Sequence, residues 1–180
     1  MALDNFEKAV GYTLQFEGGF SQNPNDPGNW TGGEVGKGEL VGTNYGISAA
    51  SFPNLNIKSL TLDQAKALYK QEYWDVIKGD SLPFPLSMFL FDYAVNSGVY
   101  AAVSSLQQVL FVTVDGIVGP ETIEAARKFD QDILISHVAT FRIMRVMHLN
   151  TSFLQGLLNR VSKLLLICGG YLGVQNSQSE

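Results

Sequence analysis

The sequence contains little cysteine and little charge. A single cysteine, Cys168, excludes an internal disulfide framework and a cysteine-rich zinc site. Only 16% of the 180 residues are charged, and 12 basic against 17 acidic side chains leave a net charge of −5. A nucleic-acid-binding protein would concentrate lysine and arginine on one face, so this balance argues against nucleic acid as a partner.

The sequence also lacks a signal-peptide pattern and a run long enough to span a membrane. Residues 1–7 contain neither a basic segment nor an apolar core. The longest apolar run, residues 164–174, is interrupted by Gly169, Gly170 and Gly173 and is too short to cross a bilayer. We therefore expect synthesis in the cytoplasm, no insertion into a membrane, and export only by another route.

What the sequence does contain is a large apolar fraction with helical spacing. Apolar residues make up 46% of the chain, which is enough for a sizeable core. Their periodicity, with capping patterns at Asp4 and Thr61, predicts a mainly α-helical fold. The predicted helices cover residues 4–17, 61–73, 86–96, 99–110, 120–129, 133–148 and 153–164.

One long polar segment, residues 20–45, interrupts this helical pattern. It is rich in Gly, Asn, Pro and Asp, and it contains a turn cluster at residues 24–28. A loop of this length is uncommon in a compact domain unless it is functional or contains short strands. We expect either a functional loop or a small β-hairpin from Val35 and Leu40–Val41, lining a cleft.

Glu17 is the first candidate catalytic residue. It is predicted to end the first helix, beside Gly18 and Gly19, which allow a ligand to approach the backbone closely. The negative end of the helix dipole and the apolar Phe16 and Phe20 would both raise the pKa of its carboxyl, as a general acid near neutral pH requires. Spacing alone favours a simpler interpretation, a solvated glutamate at a helix end.

A second carboxylate and a hydroxyl follow Glu17 in the polar segment. Asp26 lies nine positions after Glu17, and Thr43 lies seventeen positions after Asp26. An acid, a carboxylate and a hydroxyl that holds a water form a plausible set for hydrolysing a glycosidic bond. Asp26 equally fits the turn chemistry of Asp-Pro-Gly, and Thr43 fits a strand or cap hydroxyl. Glu34 and Glu39 compete with Asp26 as the second carboxylate.

Ordered motifs along most of the chain resemble one enzyme family. They are EGGF at residues 17–20, NDPGNWTGG at 25–33, GELVGTNYGIS at 38–48, YWD at 73–75, FDYAVNSG at 91–98, VDGIVGPET at 114–122 and GLLNRV at 156–161. Together they resemble the glycoside hydrolase 108 family over residues 6–161. Phe20 and Leu157 stand where the family pattern has tyrosine and tryptophan.

Members of that family are N-acetylmuramidases, often phage endolysins or secretion activators that act on peptidoglycan. The resemblance implies a single lysozyme-like domain over residues 1–180, with a catalytic lobe at residues 1–80 and a helical peptidoglycan-binding half at 81–180. It also implies that Glu17 is the catalytic acid. Similarity to phage lysozyme-like endolysins gives Asp26 and Thr43 the role of positioning water or stabilising the oxocarbenium-like state.

Aromatic and amide side chains fit a sugar substrate, because sugar rings present apolar C–H faces for stacking. Trp30, Tyr45 and Tyr93 are the candidate stacking residues, although Tyr93 equally fits packing in the core. Asn96 either bonds to an N-acetyl group or caps its own helix. Two other features are expected to be structural: Cys168 as a buried apolar residue, and the arginines at 142, 145 and 160 as solvated charges rather than a patch for peptidoglycan carboxylates.

The expected function is hydrolysis of the β-1,4 bond between N-acetylmuramic acid and N-acetylglucosamine. We expect a monomer whose partner is peptidoglycan and whose reaction needs no metal or other cofactor. A phage-encoded enzyme without a signal peptide would reach the cell wall through a partner holin. Two alternatives stay open: a lytic transglycosylase, which uses one essential glutamate and no water, and a non-catalytic wall-binding or secretion-activating module.

Overall fold

The structure is a computed structural model that describes residues 4–147 and 151–177. It is mainly helical with a small antiparallel hairpin, as the sequence predicts. The chain divides into two compact units, one over residues 10–70 and the other combining residues up to 9 with those from 71 onward. The helices are α1 Asn5–Thr13, α2 Leu62–Tyr69, α3 Leu86–Ser97, α4 Val99–Leu110, α5 Pro120–Lys128, α6 Gln131–Val146 and α7 Thr151–Ser177, and the strands are β1 Thr43–Asn44 and β2 Ile47–Ser48.

Helix α1 begins as predicted but ends early. The Asp4 carboxylate accepts a 2.7 Å hydrogen bond from the backbone N–H of Glu7, which is the bond expected of a helix N-cap. The regular helix ends at Thr13, and the backbone then tightens into turns in which the Glu17 N–H donates to the Leu14 carbonyl at 3.3 Å. The prediction that Glu17 ends a helix is therefore wrong, because the residue lies in the turns that follow α1.

The two short strands form a hairpin in the unit of residues 10–70. Strand β1 pairs antiparallel with β2, so that Thr43 lies opposite Ser48. The turn between them consists of Tyr45 at φ 50° and Gly46 at φ 76°. Two successive residues with positive φ are what a two-residue type I′ hairpin turn requires, because that turn matches the twist of the strands.

The hairpin predicted from Val35 and Leu40–Val41 is wrong in position. Leu40 forms only an isolated antiparallel bridge with Trp30, and the exposed Val35 lies in the turn between them. The strands form later in the chain because the consecutive left-handed residues that close a tight hairpin come at Tyr45 and Gly46.

Helix α2 has the N-terminus that its sequence predicts. The Thr61 hydroxyl accepts from the Gln64 N–H at 3.3 Å, and the Gln64 side chain accepts from the Thr61 N–H at 2.9 Å. This reciprocal pair is a capping box, which satisfies two of the N–H groups near the helix start. Ala65 and Tyr69 form the buried face of the helix, and a π-helical turn, Lys70–Trp74, follows it.

Helix α3 is the most deeply buried element of the other unit. Every residue from 86 to 94 is buried, as expected for a helix that is apolar all round. It packs against α4, α6 and α7. The predicted bounds agree with α4 and miss the end of α3 by one residue.

The later helices confirm most of the remaining predictions. Helix α5 begins at Pro120. The first turn of a helix tolerates proline, because the N–H that proline lacks would have no partner within the helix at that position. Helix α6 covers the predicted segment as far as Val146, and His148 lies outside the described residues. Helix α7 continues through Gly169 and Gly170 well beyond the predicted end at residue 164.

Two of the three arginines that were expected to be solvated are buried instead. Arg142 is fully buried and Arg160 is 8% exposed, and both bind the carboxylate of the fully buried Asp92 in α3. Arg145 is exposed, as expected. The correction follows from electrostatics, because a carboxylate inside an apolar helix needs cationic partners to be tolerated there.

Within the described residues, no helix has the length and the mean hydropathy that crossing a bilayer would require.

Candidate functional site

The carboxyl of Glu17 lies against the hairpin turn. A methyl group at Gly46 would lie 2.5 Å from Glu17 Oε2 and 2.5 Å from the Tyr69 hydroxyl oxygen. These distances are far below ordinary van der Waals contact, so only glycine at this position leaves room for both oxygens. Glu17 is partly exposed, whereas Tyr69 is only 2% exposed.

Tyr69 reaches this point from the buried face of α2. Its hydroxyl donates a 2.9 Å hydrogen bond to the backbone carbonyl of Tyr45, the residue that precedes Gly46 in the turn. The sequence assigned Tyr69 only to the predicted helix of residues 61–73, and nothing in it connected Tyr69 with Glu17. A polar hydroxyl on a core face is a signal that a buried partner is required, and here that partner is the turn.

Asp26 lies beside strand β2. Its Oδ1 accepts a 2.9 Å bond from the Gly28 N–H and caps a 3₁₀ turn, Pro27–Asn29, so the turn role considered from the sequence is real. Gly28 packs closely against the hairpin: its carbonyl accepts from the Ala50 N–H at 3.1 Å, and a methyl group on it would lie 3.7 Å from Ser48 Cβ. Asp26 is therefore exposed but anchored beside Ser48.

Thr43 lies on the same part of the hairpin. Its backbone N–H and carbonyl both pair with Ser21, at 2.8 Å each, so Thr43 and Ser48 form a non-hydrogen-bonded pair across β1 and β2. Side chains of such a pair point to one face and approach closely. Thr43 and the anchoring point of Asp26 therefore meet at Ser48.

Glu17 and Asp26 thus approach the hairpin at neighbouring positions. Glu17 lies against the hairpin at Gly46, and Asp26 Oδ1 and Ser48 Cβ both lie close to Gly28. Gly46 and Ser48 are two residues apart, and two residues of extended chain span at most about 7 Å. The structure brings Glu17, Asp26 and Thr43 together around one hairpin, although they are distant in sequence. This arrangement provides two carboxyl groups and a hydroxyl on a polar, accessible surface.

The two competing acidic residues lie elsewhere in the loop. Glu34 forms a 2.7 Å ion pair with Lys37, and both side chains are largely exposed. Glu39 is exposed, and its backbone N–H donates to the Thr31 hydroxyl at 2.9 Å. These contacts hold Glu34 and Glu39 in the turn around residues 31–39, whereas the contacts of Asp26 lead to the hairpin.

Of the predicted sugar-stacking residues, Trp30 and Tyr45 belong to the unit that contains Glu17. Trp30 is partly exposed, and its indole N–H is fixed by a 2.9 Å bond to the Pro24 carbonyl. Tyr45 is partly exposed at the hairpin turn. Both side chains therefore retain surface for a ligand.

Tyr93 and Asn96 belong to the other unit. Tyr93 is completely buried: its hydroxyl lies 3.1 Å from the Ser105 hydroxyl, and the Arg142 guanidinium lies 5.1 Å from its ring centroid. The stacking prediction for Tyr93 is corrected to core packing, because a ring without exposed surface presents no face to a sugar. Asn96 is partly exposed and accepts a 3.1 Å bond from the Ser97 hydroxyl.

The motif at residues 114–122 is organised by Gln107, which is 1% exposed. Its amide nitrogen donates to the Asp115 carboxylate at 2.7 Å, and its carbonyl oxygen accepts from the Gly116 N–H at 2.9 Å. The Gln107 bond, followed by one from the Ile117 N–H, lowers the pKa of the Asp115 carboxyl. The motif is therefore a rigid turn whose carboxylate is committed to internal hydrogen bonds.

Across the described part of the chain, no three His, Cys, Asp or Glu side chains are grouped closely enough to bind a metal ion.

Comparisons of the sequence and the fold with known proteins identify the family of this chain. The sequence profile described as Glycosyl hydrolase 108 matches residues 10–98, which contain the whole hairpin site. The solved structure titled "Structure of Brucella abortus SagA" is 31% identical, with a TM-score of 0.77 over 92% of this chain and 94% of that one. Among proteins of curated function, none matches the sequence. The chain belongs to glycosyl hydrolase family 108.

Proposed function

We propose that this protein is an N-acetylmuramidase, which hydrolyses the β-1,4 bond between N-acetylmuramic acid and N-acetylglucosamine in peptidoglycan. The observation that supports the proposal is the position of the Glu17 carboxyl against Gly46, with Asp26 and Thr43 anchored around the same hairpin. Most glycoside hydrolases use two carboxyl groups that flank the scissile bond, and Glu17 and Asp26 are our candidates for this pair.

In the proposed reaction, Glu17 protonates the glycosidic oxygen as the bond to the sugar breaks. The Asp26 carboxylate either positions the attacking water or stabilises the oxocarbenium-like transition state, and the Thr43 hydroxyl helps to hold that water. Asp26 suits an electrostatic role, because its bond to the Gly28 N–H fixes its direction without neutralising its charge. Trp30 and Tyr45 would bind the apolar faces of neighbouring sugars.

The first test is a digestion of purified sacculi with the wild-type protein and with Glu17→Gln, followed by mass spectrometry of the soluble fragments. We expect reducing N-acetylmuramic acid ends from the wild type and no release by Glu17→Gln, because an amide cannot donate the required proton. Asp63→Asn is a matched control, since it neutralises an exposed carboxylate in the first turn of α2 and should leave release unchanged. Full activity in Glu17→Gln would refute the proposal.

The same digestion distinguishes the other candidate functions. Fragments that end in 1,6-anhydro rings would identify a lytic transglycosylase, because such an enzyme uses no water to resolve the cleaved bond. Binding to sacculi without any fragments would identify a non-catalytic wall-binding or secretion-activating module.

The second carboxylate is tested by three substitutions made in parallel. Asp26→Asn should lower the rate strongly, whereas Glu34→Gln and Glu39→Gln should stay near the wild-type rate, because the contacts of those two residues lie within their own turn. Near-normal activity in Asp26→Asn, with loss in either glutamate variant, would transfer the role to that glutamate.

The proposed macromolecular partner is peptidoglycan, and the proposed place of action is the cell wall. If the protein is encoded by a phage, a holin would give it access to the wall. Co-expression with and without a holin, scored as lysis of the host culture, tests this route, and lysis that is independent of a holin would refute it.

A further inference from the structure

The convergence of two oxygens beside Gly46 indicates a role for a residue outside the set discussed above. Glu17 Oε2 and the Tyr69 hydroxyl oxygen each lie 2.5 Å from the point that a methyl group on Gly46 would occupy. The two groups therefore share one small space beside the turn. Tyr69 is 2% exposed, so water competes poorly for its hydroxyl.

The direction of the Tyr69 proton decides what this hydroxyl offers to Glu17. A phenolic hydroxyl carries one proton, and the 2.9 Å bond to the Tyr45 carbonyl uses it. With its proton directed there, the oxygen presents lone pairs toward its other neighbours. A lone pair interacts favourably with a protonated carboxyl, which donates, and unfavourably with a carboxylate.

We propose that Tyr69 is the positioning residue for Glu17: the Tyr45 carbonyl orients its hydroxyl, and the hydroxyl oxygen accepts a hydrogen bond from the protonated Glu17 carboxyl. Gly46 brings the Glu17 carboxyl and the Tyr69 hydroxyl to one point, and Tyr45 contributes its backbone carbonyl there. This contact favours the acid form of the Glu17 carboxyl over the carboxylate by about the free energy of one hydrogen bond. This inference rests on the proposed function, in which Glu17 is the general acid.

The direct test is the pKa of the Glu17 carboxyl, measured by carbon-detected NMR titration in the wild type and in Tyr69→Phe. Loss of one neutral hydrogen bond to the protonated form should lower this pKa by about half to one unit. An unchanged pKa would overturn the inference, and so would a higher one, since the hydroxyl would then have been donating to the carboxylate.

A second variant keeps the inference testable if Tyr69→Phe fails to fold. Gly46→Ala places a methyl group too close to both oxygens, so that they must move apart from it, and the loss of their contact should lower the Glu17 pKa in the same direction. Gly36→Ala is the matched control, because Gly36 has a similar φ of 81° but no neighbour within 4 Å of an added methyl group. Equal Glu17 pKa values in the two alanine variants would overturn the inference.

Rate measurements separate this inference from the proposed function. If the wild type cleaves sacculi, Tyr69→Phe should move the alkaline limb of the pH–rate profile to lower pH by the same amount, with KM unchanged. If the alkaline limb stays in place, the role of Tyr69 is refuted and the proposed function is not. If the wild type cleaves nothing while the NMR pKa still falls in Tyr69→Phe, the proposed function fails and the contact between Tyr69 and Glu17 stands.

Discussion

The buried charge cluster around Asp92 gives a prediction whose size follows from the structure. The Asp92 carboxylate accepts from Arg142 Nη1 at 2.9 Å, and from Arg160 Nη2 and Nε at 2.7 Å and 3.0 Å. Substitution of Asp92 by Asn keeps the shape of the side chain and removes its charge. Both guanidinium groups would then stay buried and lose the charge of Asp92.

The two sides of this cluster should differ greatly in their effect on stability. Asp92→Asn should lower the free energy of unfolding by roughly 3–5 kcal/mol, which is typical for removing one partner of a buried ion pair. Arg142→Met should cost about 1 kcal/mol or less. In the described structure Arg142 Nε and Nη2 have no hydrogen-bond partner, and burial lowers the pKa of this guanidinium. Its removal relieves a desolvation penalty and leaves Asp92 paired with Arg160.

Urea unfolding of the wild type and the two variants measures this difference, with the m-value as a check that each variant unfolds from the same compact state. Combining Asp92→Asn with Arg142→Met should cost less than the sum of the single substitutions, because one uncompensated charge is removed. Equal costs for Asp92→Asn and Arg142→Met would refute the reasoning, since the ion pair with Arg142 would then be strongly stabilising.

Two further predictions concern single side chains outside the hairpin. Burial, with the charge of Asp92 adding to it, raises the pKa of the Cys168 thiol from 9.0 to about 12. The unfolded chain ionises this thiol at lower pH, so its contribution to stability is complete below pH 9 and is lost as pH rises toward 12. Cys168→Ala should therefore flatten the alkaline decline of the unfolding free energy, and an unchanged slope would contradict this. Phe111 is 91% exposed at φ 56°, so Phe111→Gly should raise the unfolding free energy by roughly 0.5–1 kcal/mol, whereas Phe111→Ala, which keeps the strain, should not.

The parts of the fold that local signals encode were predictable from the sequence. Each of two helix starts is marked by a few neighbouring residues. Helix α2 starts at the capping box of Thr61 and Gln64, and α5 starts with a proline at its first position. The end of α1 was not predictable, because the apolar spacing continues to Leu14 while the backbone has already left the regular helix at Thr13. The hairpin was misplaced because its turn depends on a left-handed Tyr45, a residue type that rarely adopts that conformation.

The sequence of α3 carries a signal that Asp92 requires a charged partner. Asp92 lies inside a helix segment that is otherwise almost wholly apolar, and a carboxylate in such a place is tolerated only when it is paired. The identity of the partners was not encoded locally, since Arg142 and Arg160 lie 50 and 68 positions away in sequence. Their distance in sequence is why they were taken for solvated charges.

At the candidate site too, the neighbours of a key residue come from distant parts of the sequence. Sequence motifs select Glu17, Asp26 and Thr43, but the contact that defines the surroundings of Glu17 comes from Gly46 and Tyr69. Glu17 lies beyond the regular part of α1, and its carboxyl packs closely against the hairpin turn at Gly46. A residue with a side chain at position 46 would move that carboxyl even if every catalytic group were retained. We therefore expect a chain that retains Glu17 but has a larger residue at position 46 to cleave sacculi more slowly than the wild type, because the Glu17 carboxyl is displaced from the position that Gly46 allows.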